Sequence, residues 1–239
     1  MNKAITKVGC CGFGVARDKY FQTFSVVEIQ QIFYQPPKQD TVSRWRDEAP
    51  AGFEFTLKAW QLITHETSSP TYRRLKERLS EKQKQQVGAF RLTDTVRRAW
   101  DTTLSVARAL RAARVVFQCP ASFTPTSENK ERMREFFTRA ERSSITCIWE
   151  PRGQWQQDEI AELCRELDLV HCVDPFKGES VTDGLRYYRL HGVTGYRHQY
   201  TEKELGDLAR FRAENAETYF LFNNISMYRD AAHFKELLK

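Results

Sequence analysis

The chain has 239 residues, 41% hydrophobic and 13% aromatic, enough to bury a sizeable core, which excludes a disordered or fibrous chain. One stretch carries its formal charge of +6: residues 70–114 hold twelve Lys/Arg against four Asp/Glu, a net +8, so the remainder is slightly acidic. No apolar run approaches the roughly 18 residues of a membrane helix, and the polar start at 1–7 has no apolar leader, so no membrane partner is expected and the cytoplasm is the expected compartment.

Eight short apolar runs have β character: 7–12, 26–34, 54–60, 113–119, 145–150, 169–174, 185–192 and 217–224. Helical patterns separate most of them. Val96, Trp100, Thr103, Ala107 and Leu110 recur at spacings of three and four within 94–111, as do Ile160, Leu163 and Leu167 within 159–167. Thr201-Glu202-Lys203-Glu204 is a capping box ahead of Leu205, Leu208 and Phe211, and Ala231, Phe234 and Leu238 mark a last helix. Pro36-Pro37 and Pro120 punctuate strand exits. This rhythm predicts an α/β fold, a single-domain TIM-type (β/α)8 barrel spanning 1–239. The connection at about 61–112 is too long for a barrel loop. It predicts a helical insertion between strands 3 and 4, two helices broken near Gly88, forming a lid or a partner surface.

In such a barrel the active site lies at the carboxyl ends of the strands. There the sequence places three cations (Lys58, Arg152, Arg189), three carboxylates (Glu28, Glu150, Asp174) and two histidines (His65, His191). Period-two alternation puts Glu54, Thr56 and Lys58 on one face of their strand, and Tyr187, Arg189 and His191 on one face of theirs. The charges either pair into a lattice that closes the barrel or leave some groups for a ligand. The ligand-binding alternative implies an enzyme acting on a small anionic molecule, phosphorylated or carboxylated, by general acid/base chemistry. Arg152 and Arg189 would hold the anion, with Gln118, Tyr200, Asn223 and Asn224 as further binding groups. Glu28, Glu150 or Asp174 would act as base, His191 or His65 would shuttle protons, and Lys58 would stabilise an oxyanion. A Schiff base at Lys58 is disfavoured on the expectation that nearby carboxylates keep the amine protonated.

The sequence assigns no cofactor. Glu150, Asp174 and His191 end successive runs and also suit a divalent metal, with ion pairing to Arg152 and Arg189 as the alternative. Six cysteines lie mostly in apolar runs and read as buried hydrophobes; Cys10, near the end of the first run, is the best placed to react. His171 reads as structural, and His198 and His233 as loop and helix surface. Gly9-Cys10-Cys11-Gly12-Phe13-Gly14 lacks the dinucleotide spacing and a Walker lysine, and no nucleophile elbow is present. The basic 70–114 stretch offers a different reading, nucleic-acid binding or processing.

Several strings resemble the domain of unknown function 72 (YecE-like) family. They are Val27-Glu28-Ile29-Gln30-Gln31-Ile32-Phe33-Tyr34, Phe55-Thr56-Leu57-Lys58 and Ile63-Thr64-His65, then Phe117-Gln118-Cys119-Pro120-Ala121-Ser122-Phe123. Glu150-Pro151-Arg152 with Trp155, Tyr188-Arg189-Leu190-His191-Gly192 and Phe222-Asn223-Asn224 follow in family order. The resemblance covers nearly the whole chain and implies a TIM-barrel-like fold, with no activity to carry over. Gly9-Cys10-Cys11-Gly12-Phe13 stands where many members resemble G-T-S-G-W, and Gln30 where asparagine is usual, so neither that hydroxyl nor that asparagine amide is carried here.

Overall fold

Each of the eight runs becomes a strand, because every run can bury alternate residues on two sides. In the computed structural model, which describes residues 5–142 and 144–239, the polar residues 1–4 lie outside the described part of the start. The strands are β1 (Thr6–Cys10), β2 (Val26–Ile29), β3 (Glu54–Lys58), β4 (Arg114–Gln118), β5 (Thr146–Glu150), β6 (Leu169–Val173), β7 (Arg186–Leu190) and β8 (Thr218–Phe222). They pair in sequence order, all parallel, and β8 returns to β1 with Lys7 opposite Tyr219, closing a TIM-type (β/α)8 barrel.

Two cores follow from the alternation. Cys11, Val26, Val116, Ile148, Cys172, Tyr187, Tyr219 and Leu221 fill the lumen, while the residues of opposite parity pack the strands against the surrounding helices. Below the lumen core, at the amino ends of the strands, Lys7 Nζ donates to Glu54 (2.6 Å) and Tyr219 Oη (2.9 Å), and Arg114 pairs with Glu54 (2.8 Å) and with Glu217. Lys7, Glu54, Arg114 and Glu217 thus form a charge lattice at the amino end of the barrel, opposite the mouth.

The second run is the clearest departure from expectation. It was expected to stay extended over 26–34, yet β2 stops at Ile29 and Gln31–Tyr34 coils into a helical turn. Ile32 and Phe33 are both buried, and the Gln30-Gln31 pair before them interrupts the alternation that would have continued the strand. The connection after β3 holds the two expected helices on either side of Gly88, preceded by two shorter segments. It consists of a turn at Gln61–Thr64, a 3-10 segment at Pro70–Arg74, a helix at Glu81–Gln86 and the long helix Asp94–Leu110. Thr93 caps the long helix by accepting from the Val96 amide (3.3 Å), and left-handed Arg111 ends it.

Gly88, in the break between the two helices, is also a close return of the chain. Its amide donates to Leu62 O (2.8 Å) at φ 81°, and a Cβ there would lie 2.5 Å from the His65 carbonyl carbon. Gly88→Ala should therefore cost roughly 1–3 kcal/mol, the usual scale of backbone strain, read as a lower urea midpoint at unchanged slope.

Candidate functional site at the mouth of the barrel

Inward parity carries Glu28, Lys58, Gln118, Glu150, Asp174, Arg189 and His191 to the carboxyl ends of six strands. At their centre Arg189, only 1% exposed, reaches Glu28 Oε1 with Nη2 (3.0 Å) and Glu150 Oε2 with Nη1. One guanidinium thus ties β2 to β5 across the barrel. Tyr187 Oη donates to Glu28 (3.0 Å) and shares a hydrogen bond with Thr56 (2.8 Å), fixing the same carboxylate from below. Burial alone would raise the Glu150 carboxyl, but Arg189, Arg152, His191 and Lys58 outweigh it and bring it down to about 2. Arg189 was expected to hold a substrate anion. Buried between two carboxylates, it has no face left for one.

Lys58 Nζ donates to Gln118 Oε1 (2.6 Å) and sits over the Phe33 ring (3.4 Å). The expectation that carboxylates would keep this amine firmly protonated is overturned. Glu28 and Glu150 are spent on Arg189, and burial followed by the charge of Arg189 lowers Lys58 to about 7. His65 stands beside the same ring (4.9 Å), with Nδ1 on Thr64 Oγ1 (2.8 Å). Burial, then Lys58 and Arg152, lowers it to about 3, so it is neutral.

On the β5–β7 side a cleft of about 540 Å³ is lined by Glu150, Arg152, His171, Asp174, Lys177 and His191, among others. Asp174 accepts from the Phe176 amide with Oδ1 (3.2 Å) and from the His191 amide with Oδ2 (3.0 Å), so two backbone donors aim it. His191 Nδ1 lies 3.7 Å from Oδ2 of that carboxylate. Arg152 donates to Glu150 Oε1 (2.6 Å), and its Nη2 lies 2.5 Å from His191 Nε2. A guanidinium nitrogen only donates, so His191 Nε2 is an acceptor and the ring proton is on Nδ1, towards Asp174. Burial lowers the His191 pKa despite the opposing pull of Asp174 and Glu150, leaving the imidazole neutral near pH 7. His171, read as structural, accepts from the Val181 amide (3.3 Å), yet it also lines this cleft; burial brings it down to about 4.

The metal alternative does not fit this geometry. The Arg152 guanidinium occupies the space between Glu150 and His191, and no group of three His, Cys, Asp or Glu among the described residues is spaced to hold a metal ion.

The β1, β2 and β8 side holds a second cleft, of about 930 Å³, lined by Gln30, Tyr34, Arg73, Arg74, Lys76, Tyr196 and Asn223, among others. Gln30 Nε2 donates to Asn223 Oδ1 (3.1 Å) there. Asn224 and Tyr200, expected beside it, are built into the wall. Asn224 Nδ2 donates to His198 O (2.8 Å) and Asp230 (2.7 Å), and Tyr200 Oη accepts from the Gly192 amide (2.9 Å). Asn224 is of outward parity, which counting from Leu221 would have revealed, whereas Tyr200 lies in the loop after β7, where alternation does not apply.

The same count corrects Cys10. It faces outward, its Sγ donating to Met227 O (3.4 Å), and burial pushes the thiol up to about 12. Cys11 is the inward thiol, and burial raises it too. All six cysteines are buried and unbridged.

Much of the basic 70–114 stretch is internally paired: Arg91 with Glu66, Arg98 with Glu77 (2.7 Å), Arg108 with Glu141 (2.8 Å), and Arg114 inside the barrel floor. No helix among the described residues is long and apolar enough to cross a membrane.

The chain is thus a parallel (β/α)8 barrel whose mouth is bridged by a buried arginine and flanked by two polar clefts. It belongs to the DUF72 family, proteins of unknown function, whose model matches residues 17–239. A DUF72 family protein from Enterococcus faecalis V583 superposes with TM-score 0.74 at 18% identity, over 100% of this chain and 99% of that one. Another from Thermotoga maritima MSB8 gives 0.69 at 19% identity, over 98% and 99%. A xylose isomerase domain containing protein from Salmonella typhimurium LT2 gives 0.59 at 15% identity, over 100% and 96%. At these identities the likeness is one of fold. No curated protein matches the chain.

Proposed function

We propose that the protein is an enzyme that transfers a proton on a small carboxylated or phosphorylated substrate bound in the His191 cleft. One observation carries this reading: the imidazole is neutral, its tautomer is set, and its basic Nε2 is turned to the cleft side, where its donor is the partly exposed Arg152. Arg152, with a side chain 39% exposed, is the member of this ion network that reaches solvent. Shifting its guanidinium from His191 onto a substrate anion would bind the substrate and release Nε2 in one motion. Asp174 holds the imidazole and balances the imidazolium formed when Nε2 takes the proton, and Glu150 anchors Arg152. Lys177 adds a second positive group on the rim. Sharing a barrel with proteins named for a xylose isomerase domain supports an enzyme at the level of fold.

The test is thermal stabilisation by a panel of carboxylated and phosphorylated metabolites, followed by deuterium exchange of the stabilising compound in D2O by NMR. A ligand at about 100 times its Kd should stabilise by about 2.7 kcal/mol. Arg152→Ala should erase that shift. His191→Gln should keep it and slow exchange by roughly 10²- to 10⁴-fold. Because His191 titrates below its ordinary 6.5, exchange should be flat through neutral pH and fall on acidification beneath that value. Exchange unchanged in His191→Gln would sink the reading.

Nucleic-acid binding along 70–114 is the second reading. The exposed cations of this stretch that take part in no ion pair among the described residues are Arg73, Arg74, Lys76, Arg78, Lys82 and Arg111.

A further inference from the structure

Three of those six cations line the second cleft, and nothing in the His191 reading uses them. Arg73, Arg74 and Lys76 line it together with no carboxylate at all. All three are exposed, and none takes part in an ion pair among the described residues, although neighbouring Arg91, Arg97 and Arg98 each do. Unneutralised positive charge concentrated on one concave wall attracts an anion of more than one charge.

The wall is also fastened in place. Gln35 Oε1 accepts from the backbone amides of Lys76 (3.0 Å) and Glu77 (3.3 Å), pinning the excursion to the barrel mouth. The Arg74 guanidinium lies 3.5 Å from the centre of the Tyr34 ring, which holds its plane and leaves its outer edge to donate. A planar fork held on an aromatic face is suited to phosphate oxygens.

The other wall has different chemistry. Tyr196 lines the cleft with 63% of its surface exposed, while its carbonyl, accepting from the Ile225 amide (2.8 Å), ties its backbone to the loop after β8. The Gln30–Asn223 amide pair lines the same cleft. Asn223 gives its Oδ1 to Gln30, so its Nδ2 is left without a partner among the described residues. An exposed aromatic face, an amide donor and a cluster of cations line one cleft of about 930 Å³.

We propose that this second cleft binds a nucleotide unit, with Arg73, Arg74 and Lys76 on the phosphate, Tyr196 stacked on the base and Asn223 Nδ2 donating to the base edge. The unit is either a free mononucleotide or a residue of a single strand, since both present the same phosphate and ring. The site is separate from the His191 cleft and does not rest on its chemistry.

Fluorescence anisotropy with a labelled ten-nucleotide thymidine strand, and calorimetry with AMP and with inorganic phosphate, test this at several salt concentrations. Tyr196→Ser should weaken nucleotide binding by roughly 5- to 150-fold, the range of one lost base stack, and Tyr196→Phe should restore it. Arg73→Glu with Arg74→Glu should abolish binding, and each cation replaced singly by alanine should lower the salt slope by about 1. Arg97→Glu, which alters a cation outside the cleft, should leave binding within twofold, and unchanged thermal midpoints will show that these surface variants fold. Binding of the strand alone assigns the site to single strands; binding of AMP as well assigns it to free nucleotide. The proposal is overturned if neither binds at low salt, if phosphate competes as well as AMP while Tyr196→Ser has no effect, or if Arg152→Ala abolishes binding and so merges the two clefts.

Discussion

Arg189→Met is expected to lower the unfolding free energy by about 3–5 kcal/mol, the cost of stranding a buried charge partner. Here two carboxylates, Glu28 and Glu150, would be stranded at once, and both are almost fully buried. The intact trio need not be more stable than an apolar core of the same volume, since desolvating three charges offsets much of their attraction. Adding Glu28→Gln and Glu150→Gln to Arg189→Met should therefore recover much of the loss. Arg189→Lys should not, because one ammonium cannot face carboxylates on opposite walls as a fork does. The pH dependence has a definite sign. Glu150 is held at about 2 in the fold, against an ordinary 4.5, so its contribution is complete above 4.5 and is lost as pH falls from there towards 2. Urea titrations of wild type and Arg189→Met should converge over that window. A gap that stays constant would show that Arg189 acts through packing alone.

Lys58→Met is expected to stabilise the protein, and to do so most at neutral and lower pH. In the fold burial and Arg189 bring this amine from 10.5 to about 7. The folded state thus resists a proton that the unfolded chain takes up readily. The penalty is complete below about 7 and is relieved as pH rises from there to 10.5. At about 1.4 kcal/mol per decade it amounts to a few kcal/mol. Lost packing on Phe33 and an unpaired Gln118 Oε1 offset part of the gain. Urea midpoints for the variant and wild type measured between pH 6 and 10 should approach one another as pH rises. A variant less stable than wild type at every pH would mean that the Phe33 face and Gln118 fully satisfy the ammonium.

These two residues also show how far the sequence could be read. The eight strands, their order and the inward set containing Thr56, Lys58, Tyr187 and Arg189 follow from alternation, which is local and strict. A one-residue slip would turn every charge into the helical layer. Capping residues were equally legible: Thr201 with Glu204 starts its helix as written, each bonding the other's amide (3.3 and 2.8 Å). The stretch 26–34 was not legible, because buried Ile32 and Phe33 satisfy a strand or a turn equally well.

The site was legible as a set of residues and illegible as a set of pairings. Lys58, Arg152 and Arg189 are equivalent cations in a string of letters, and which of them meets Glu28 and Glu150 is decided by distances across the barrel. Arg189 reaches both, which withdraws it from substrate, leaves Lys58 without an anion, and leaves Arg152 between Glu150 and His191. The second cleft is further from reach. Its cations come from the 3-10 segment and the turn that follows it, and its aromatic wall from a loop more than a hundred residues later, with no pattern linking them. Sequence determined the barrel and the inventory of its mouth, because periodicity is a property of neighbours. Only the tertiary structure decided which charges are spent and which are left over, because electrostatic pairing depends on separation in space.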